Sequence, residues 1–202
     1  MSAAAVEHPY EAHSSEPTLL ELADAILDRF PGHRVEIIGS EITVSPPASG
    51  SHASALTDVM IPFLAAGLHG ERTKVLQAVG LWLPEGPSDY AIPDLAVVDA
   101  DFRDHLVEFN CYDPAIFRLV LEVTSSNLSD DLKKKPAAYA GAGVPVCLIA
   151  DRKNRRVMVL TDPRDGEYRV RAVHHPGQSF ELPESIGAEV TLFVDSVLGP
   201  EK

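Results

Sequence analysis

The sequence predicts an α/β (α+β) fold, a mixed β-sheet core flanked by helices, and three observations carry that prediction. Apolar residues recur at helical spacing over 18–30, 52–69 and 131–142. Runs of β-branched and aliphatic residues fall between and after these windows, at 34–45, 73–83, 92–98, 115–123, 144–150, 155–160, 167–173 and 189–194. The resulting order of helix, hairpin, helix, strands, helix, strands suits a sheet covered by helices. With 202 residues, 45% hydrophobic and 23% charged, the chain can bury a core and has the balance of a globular protein.

Residues 1–16 are polar and without period, so a disordered tail is expected there and a single domain over 17–198. Thr18 opens TLLELADAILDRF, where Leu19, Leu22, Ala23, Ile26, Leu27 and Phe30 share a helix face and Pro31-Gly32 stops the helix. In HRVEIIGSEITVSPP two strands flank Gly39-Ser40, a hairpin signal, with Val35, Ile37, Ile42 and Val44 on shared faces. The window His52–His69 carries Leu56, Val59, Met60, Phe63 and Leu64 at helical spacing; Pro62 should kink or shorten this helix, which is expected to pack on the hairpin. Strands at 73–83 and 92–98 flank the turn-rich PEGPSDY. Ala115–Val123 is a nearly continuous apolar run, as in a central strand buried on both faces. A helix over Asp131–Ala142 ends at Gly143 and leads into a strand at 144–150. Asp151–Asn154 turns the chain into RRVMVL, and strands near 167–173 and 189–194 complete the sheet.

Composition narrows the function. No apolar run approaches the ~20 residues of a membrane-spanning helix, and the first residues lack the basic flank and apolar stretch of a secretory signal, so a cytoplasmic protein without membrane contact is expected. Cys111 and Cys147 are too far apart in sequence for a zinc knuckle and form no disulfide framework. The pair His174-His175 has no further metal-ligand spacing around it, which argues against a zinc enzyme. Phosphate-binding glycine fingerprints and a Gly-x-Ser-x-Gly elbow are absent, against nucleotide-binding and α/β-hydrolase readings. A net charge of -13 disfavours tight nonspecific binding to a DNA backbone, though a local basic groove remains compatible with it.

Within that frame, Glu122 is the most informative residue, because it interrupts the apolar run FRLVLEVTSS. An ionised carboxylate in the interior requires a partner or a metal; the plain alternative is a solvent-facing position at a sheet edge. Asp94 follows Pro93 at the start of another apolar strand, where a turn role is the ordinary reading. Two acids on adjacent strands could together hold Mg²⁺, which takes one or two carboxylates beside waters and phosphate oxygens. Lys135, in Asp131-Leu-Lys-Lys-Lys135, could polarise water or stabilise phosphate charge, or form an ordinary i, i+4 helix pair with Asp131. Lys133 and Lys134 are candidate phosphate contacts. Glu36 lies opposite Val35 and Ile37 by alternation, as on a solvated strand face. His52, at a helix start, is a candidate for metal or phosphate contact or for a cap.

Four ordered motifs, VEIIGSEITVSPPASGSH, IPDLAVV, LVLEVTSSN and DLKKKPAAYAGAGVPV, resemble the Uma-type family of restriction endonucleases, bacterial members of the PD-(D/E)XK nuclease superfamily, from Arg34 to Asp195. The resemblance implies a restriction-endonuclease-like sheet flanked by helices, with Asp94 and Glu122 as the metal-binding acids. Where the superfamily places a lysine two residues after the second acid, this chain has Thr124, and the resemblance implies that Lys135 of the next helix replaces it. It further implies Glu36 as the acid of the early hairpin and His52 as the histidine opening the second helix. The family's usual bulky aromatics are missing from VPVCLIAD, a departure touching packing or partner contacts. The function expected is an endonuclease hydrolysing DNA phosphodiesters with Mg²⁺ or Mn²⁺ through Glu36, Asp94, Glu122 and Lys135. The net charge motivates an alternative, a catalytically inactive nuclease-fold binding or assembly module, and RNA or a nucleotide is a third option for the substrate. A homodimer is expected, since two-fold dimers are the commonest soluble assemblies and suit cutting of two strands.

Overall fold

The computed structural model describes residues 16–124 and 130–199; apart from Glu16, the tail expected at 1–16 lies outside these residues. Helix α1 spans Leu19–Arg29 and opens with a capping box, in which the Thr18 hydroxyl accepts from Glu21 N and the Glu21 carboxylate accepts from Thr18 N. Strands β1 (Arg34–Ile38) and β2 (Glu41–Ser45) follow. Their turn residues Gly39 and Ser40 both have positive φ, 62° and 61°, the twist that closes a two-residue hairpin. Buried Asp89 clamps this turn, accepting from Gly39 N at 2.6 Å and Ser40 N at 3.2 Å. The apolar face of the hairpin is covered by α1, where Ala23 packs with Val35, Ile37, Tyr90 and Cys111.

Helix α2 runs Gly50–Ala65, shorter than the periodicity suggested, and contains Pro62 in its last turn. It does not pack on the hairpin as expected, because α1 already occupies that face. Its Leu56, Val59 and Phe63 instead join Leu95, Val97, Leu119 and Leu121 in the larger core. The expected single strand at 73–83 is two, β3 (Thr73–Gln77) and β4 (Gly80–Trp82). Ala78, with φ of 50°, breaks the run and sends the halves into different sheets. The strand expected at 92–98 is shorter, β6 (Leu95–Asp99), after a brief β5 (Tyr90–Ala91). Two short strands with no clear sequence signal, β7 (Leu106–Glu108) and β8 (Cys111–Tyr112), precede the central β9 (Phe117–Val123). A π-type turn at Asp130–Lys134 leads into α3 (Lys135–Gly141), so the regular helix begins later than periodicity implied. Then come β10 (Val146–Asp151), β11 (Arg156–Arg164), β12 (Glu167–His174), β13 (Ser179–Glu181), β14 (Thr191–Phe193) and α4 (Val194–Leu198).

These strands build two six-stranded sheets, ordered β2-β1-β5-β4-β8-β7 and β12-β11-β10-β9-β6-β3. Strand β14, expected to complete the main sheet, instead pairs antiparallel with β13 in a separate ribbon and hands the chain to α4. In the second sheet β9 runs parallel to β10 and antiparallel to β6, which makes the sheet mixed. Side-chain alternation divides its core. Leu119, Leu121, Val97, Leu148 and Val157 face α2 and α4, whereas Val120, Ala96, Ile149 and Met158 face α3, joined by Phe117 where the β6–β9 register shifts. Among the described residues, no helix is long and apolar enough to cross a membrane.

Candidate active site

The site forms where the chain passes from one sheet to the other through Ile92-Pro93-Asp94, between β5 and β6. In the β6–β9 register Leu95 pairs with Leu121 and Ala96 with Val120, so Asp94 is opposite Glu122. Glu122 projects to the face of Val120 that α3 covers, whereas the Asp94 carboxylate, at the start of β6, is reached by Arg34 of β1 and His52 of α2. Glu36 and Arg34 approach from β1 and are tied to the crossing segment by the backbone of one residue, Ile92. Ile92 N donates to Glu36 Oε1 at 2.7 Å, and Arg34 Nη1 donates to Ile92 O at 3.2 Å.

The expected candidates Glu36, Asp94, Glu122 and Lys135 converge here, with exposures of 3%, 3%, 2% and 5%. Glu122 is therefore a buried residue of a central strand, not an edge residue. For Glu36 the solvated-face reading is corrected: alternation does turn it away from Val35 and Ile37, but that side meets the second core, where Ile38 packs. Lys135 bridges the acids, its Nζ at 2.9 Å from Glu36 Oε1 and 3.2 Å from both Glu122 oxygens. One turn along α3, Tyr139 donates its hydroxyl to Glu122 Oε1 at 2.5 Å. Asp94 is held separately, with Arg34 Nη1 at 2.8 Å from Oδ1, Val123 N donating to Oδ2 at 2.8 Å, and His52 Nε2 at 3.3 Å from Oδ1.

Electrostatics divide the two opposed acids. Burial raises the pKa of Glu122, and the nearby charges of Asp94 and Glu36 raise it further, against the opposing pull of Lys135 and Tyr139. For Asp94 burial pulls the same way but is outweighed by His52, the Arg34 charge and the Val123 N–H, which bring it down to about 2. Burial lowers the proton affinity of Lys135, yet Glu122 and Glu36 more than reverse this and hold it cationic.

The donor set fits a divalent metal of the two-carboxylate kind. The charges of Asp94 and Glu36 are both felt at Glu122, and these three buried acids outnumber the guanidinium and ammonium paired with them, Arg34 and Lys135, which favours an added cation. Among the described residues Glu122 Oε2 accepts only from Lys135 and Asp94 Oδ2 only from Val123 N, so each retains a lone pair. No group of three or more His, Cys, Asp or Glu is placed to hold a metal among the described residues. A metal bound by these two acids would therefore complete its shell with waters and phosphate oxygens.

Of the remaining candidates, His52 reaches Asp94, Lys134 pairs with Glu41 at 2.7 Å on the surface, and Lys133 is exposed. The Asp131 side chain, the alternative partner of Lys135, lies outside the described residues. Thr124, in the position of the superfamily lysine, spends its hydroxyl on β10, donating to Ala150 O at 3.1 Å. Sequence reasoning missed Tyr139 and Arg34. Tyr139 was within reach, since it lies four residues after Lys135 and so on the same helix face. Arg34 had no signal, because its contact with Asp94 spans 60 positions. A groove of about 610 Å³ between α2 and α4 shares no lining residue with this cluster.

A family model described as Uma2, "Putative restriction endonuclease", matches residues 18–195. Among solved structures, a "putative nuclease belonging to DUF820" from Anabaena variabilis is similar with a TM-score of 0.62 at 15% identity, over 81% of this chain and 89% of that one. At this identity the likeness concerns the fold. No curated protein matches the sequence.

Proposed function

This chain belongs to the Uma2 family of restriction endonucleases and has the corresponding fold, and from that premise we propose that it is a divalent-metal nuclease cutting DNA phosphodiesters. The observation that carries this reading is the position of Lys135, which enters from α3 to contact both oxygens of Glu122, opposite Asp94. Two acids and a lysine near one another, although the strand itself lacks the lysine, support the reading of a phosphodiester-hydrolysing centre. Asp94 and Glu122 would hold Mg²⁺ or Mn²⁺. That ion would supply charge neutralisation at the phosphate and a lowered pKa for the attacking water.

The chain's own groups do the rest. Arg34 and Val123 N fix the Asp94 carboxylate in its ionised form, ready to bind a cation. Tyr139 sets the rotation of the Glu122 carboxylate. The Lys135 ammonium, kept protonated between Glu122 and Glu36, orients the attacking water and offsets charge developing on the phosphate, while Glu36 holds Lys135 in place and accepts a proton from that water. The test is incubation of purified protein with a panel of DNA substrates in Mg²⁺ or Mn²⁺, beside Asp94→Ala and Glu122→Ala. Cleavage by the wild type that both substitutions abolish is expected; cleavage that survives them would sink the assignment.

One observation favours a second reading, a nuclease-fold module that binds or assembles without cutting: the four central residues are all at most 5% exposed. Calorimetric titration with Mn²⁺ separates the readings. Heat that disappears in Asp94→Ala and Glu122→Ala supports the nuclease, and its absence in the wild type supports the module.

A further inference from the structure

Arg152 stands out in a chain of net charge -13 as a half-buried cation whose Nε is buried and which forms no ion pair among the described residues. It follows β10 directly, and its backbone N donates to Thr124 Oγ1 at 3.0 Å, which fixes it beside the end of the strand that carries Glu122. Its Nη2 donates to Ser51 O at 3.3 Å, in the first turn of α2 and one residue before His52. Its Nε is buried and has no hydrogen-bond partner, and neither does His52 Nε2, whose 3.3 Å contact with Asp94 lacks hydrogen-bond alignment. Burial lowers the pKa of Arg152, and the charge that opposes this is Asp94. Arg152 Nε is thus a buried donor left without an acceptor near the candidate metal acid, on a guanidinium that stays charged, and His52 Nε2 meets Asp94 only in a poorly aligned contact. Buried donors are costly unless paired, and guanidinium geometry suits phosphate oxygens.

We propose that Arg152 and His52 form an anion seat beside Asp94 that takes a non-bridging oxygen of a nucleic-acid phosphodiester. The proposal rests on the nuclease reading and adds to it the residues that grip the substrate backbone. It also explains how an acidic protein engages a polyanion: the cations are few, but they stand at the acid centre. Arg34 is already committed to Asp94 and Ile92, and Lys134 to Glu41, whereas Arg152 can take a phosphate without giving up an ion pair to a described residue.

The experiment measures binding of a fluorescein-labelled DNA duplex in EDTA, where no cleavage intervenes, across a salt series for the wild type, Arg152→Gln and Arg152→Lys. Loss of one phosphate contact should weaken binding roughly tenfold in Arg152→Gln, with partial recovery in Arg152→Lys, and flatten the log–log salt slope by about 0.9. Equal affinity and equal slope in all three proteins overturn the seat and leave the nuclease reading standing. If the wild type binds no duplex without metal, the cleavage assay decides the nuclease reading, and inorganic phosphate decides the seat in the wild-type protein, without any variant having to fold. Movement of the Arg152 Nε–Hε NMR resonance on adding phosphate then supports it, and a resonance that stays in place overturns it.

Discussion

Lys135 is shared as counter-charge by two buried carboxylates, and this fixes what its loss must do. Lys135→Met leaves Glu36 and Glu122 buried without their counter-charge, a situation that costs about 3–5 kcal/mol. Urea denaturation should show that loss, and adding Glu122→Gln should restore part of it; a single substitution costing under about 1 kcal/mol would mean the acids are compensated elsewhere. Asp151 offers a separate test in pH. It is buried, and although burial raises its pKa, Asn154 and Arg156 outweigh this and hold it below its ordinary 3.8. A depressed native pKa stabilises the fold above the unfolded value, and that contribution disappears as pH falls through the native value. Asp151→Asn should therefore cost about 2 kcal/mol at neutral pH, with the gap from wild type closing below pH 3.8, as followed by thermal melts. The sequence made Glu122 legible through its apolar neighbours, because a charge in such a run demands a partner. Glu36 was not legible in this way: alternation gave its direction, but what lies in that direction depends on a contact with a helix about a hundred residues later.

Among the elements, strand existence was largely readable and strand membership was not. The run at 73–83 reads as one strand because every local preference favours extension, yet positive φ at Ala78 divides it between two sheets. Local pattern cannot see this break, since alanine carries no turn signal. The same divide gives Gly80 its role. In β4 it pairs parallel with Cys111 of β8, and a Cβ added there would lie 2.6 Å from Cys111 Sγ and 2.9 Å from Asn110 O. Backbone on one side leaves little room to yield, so Gly80→Ala should cost about 1–3 kcal/mol in chemical denaturation. Gly50, in the first turn of α2, meets nothing within 4 Å, and Gly50→Ala should be neutral or slightly stabilising. Equal effects at the two positions would contradict the close approach of β4 and β8.

At the scale of the whole molecule, the acids converge beside one of the segments that cross between the two sheets: β1 belongs to the first sheet, β9 to the second, and Ile92-Pro93-Asp94 links β5 of the first to β6 of the second. The stability of that junction is then tied to the ion it would hold. Burial and the charges of Asp94 and Glu36 raise the native pKa of Glu122 above its ordinary 4.5, so the metal-free protein loses stability as pH rises from that value through the native one. A bound divalent cation reverses the sign, because it favours the carboxylate that the proton otherwise masks. Thermal melts with Mn²⁺ at roughly a hundred times its dissociation constant should gain about 2.7 kcal/mol. At fixed Mn²⁺ the gain should grow from mildly acidic to mildly alkaline pH as the proton ceases to compete. Asp94→Asn and Glu122→Gln should abolish the metal-dependent gain, and Glu122→Gln alone should also remove the alkaline loss of the metal-free protein. A gain independent of pH, or one surviving both substitutions, would place the ion elsewhere on this acidic surface.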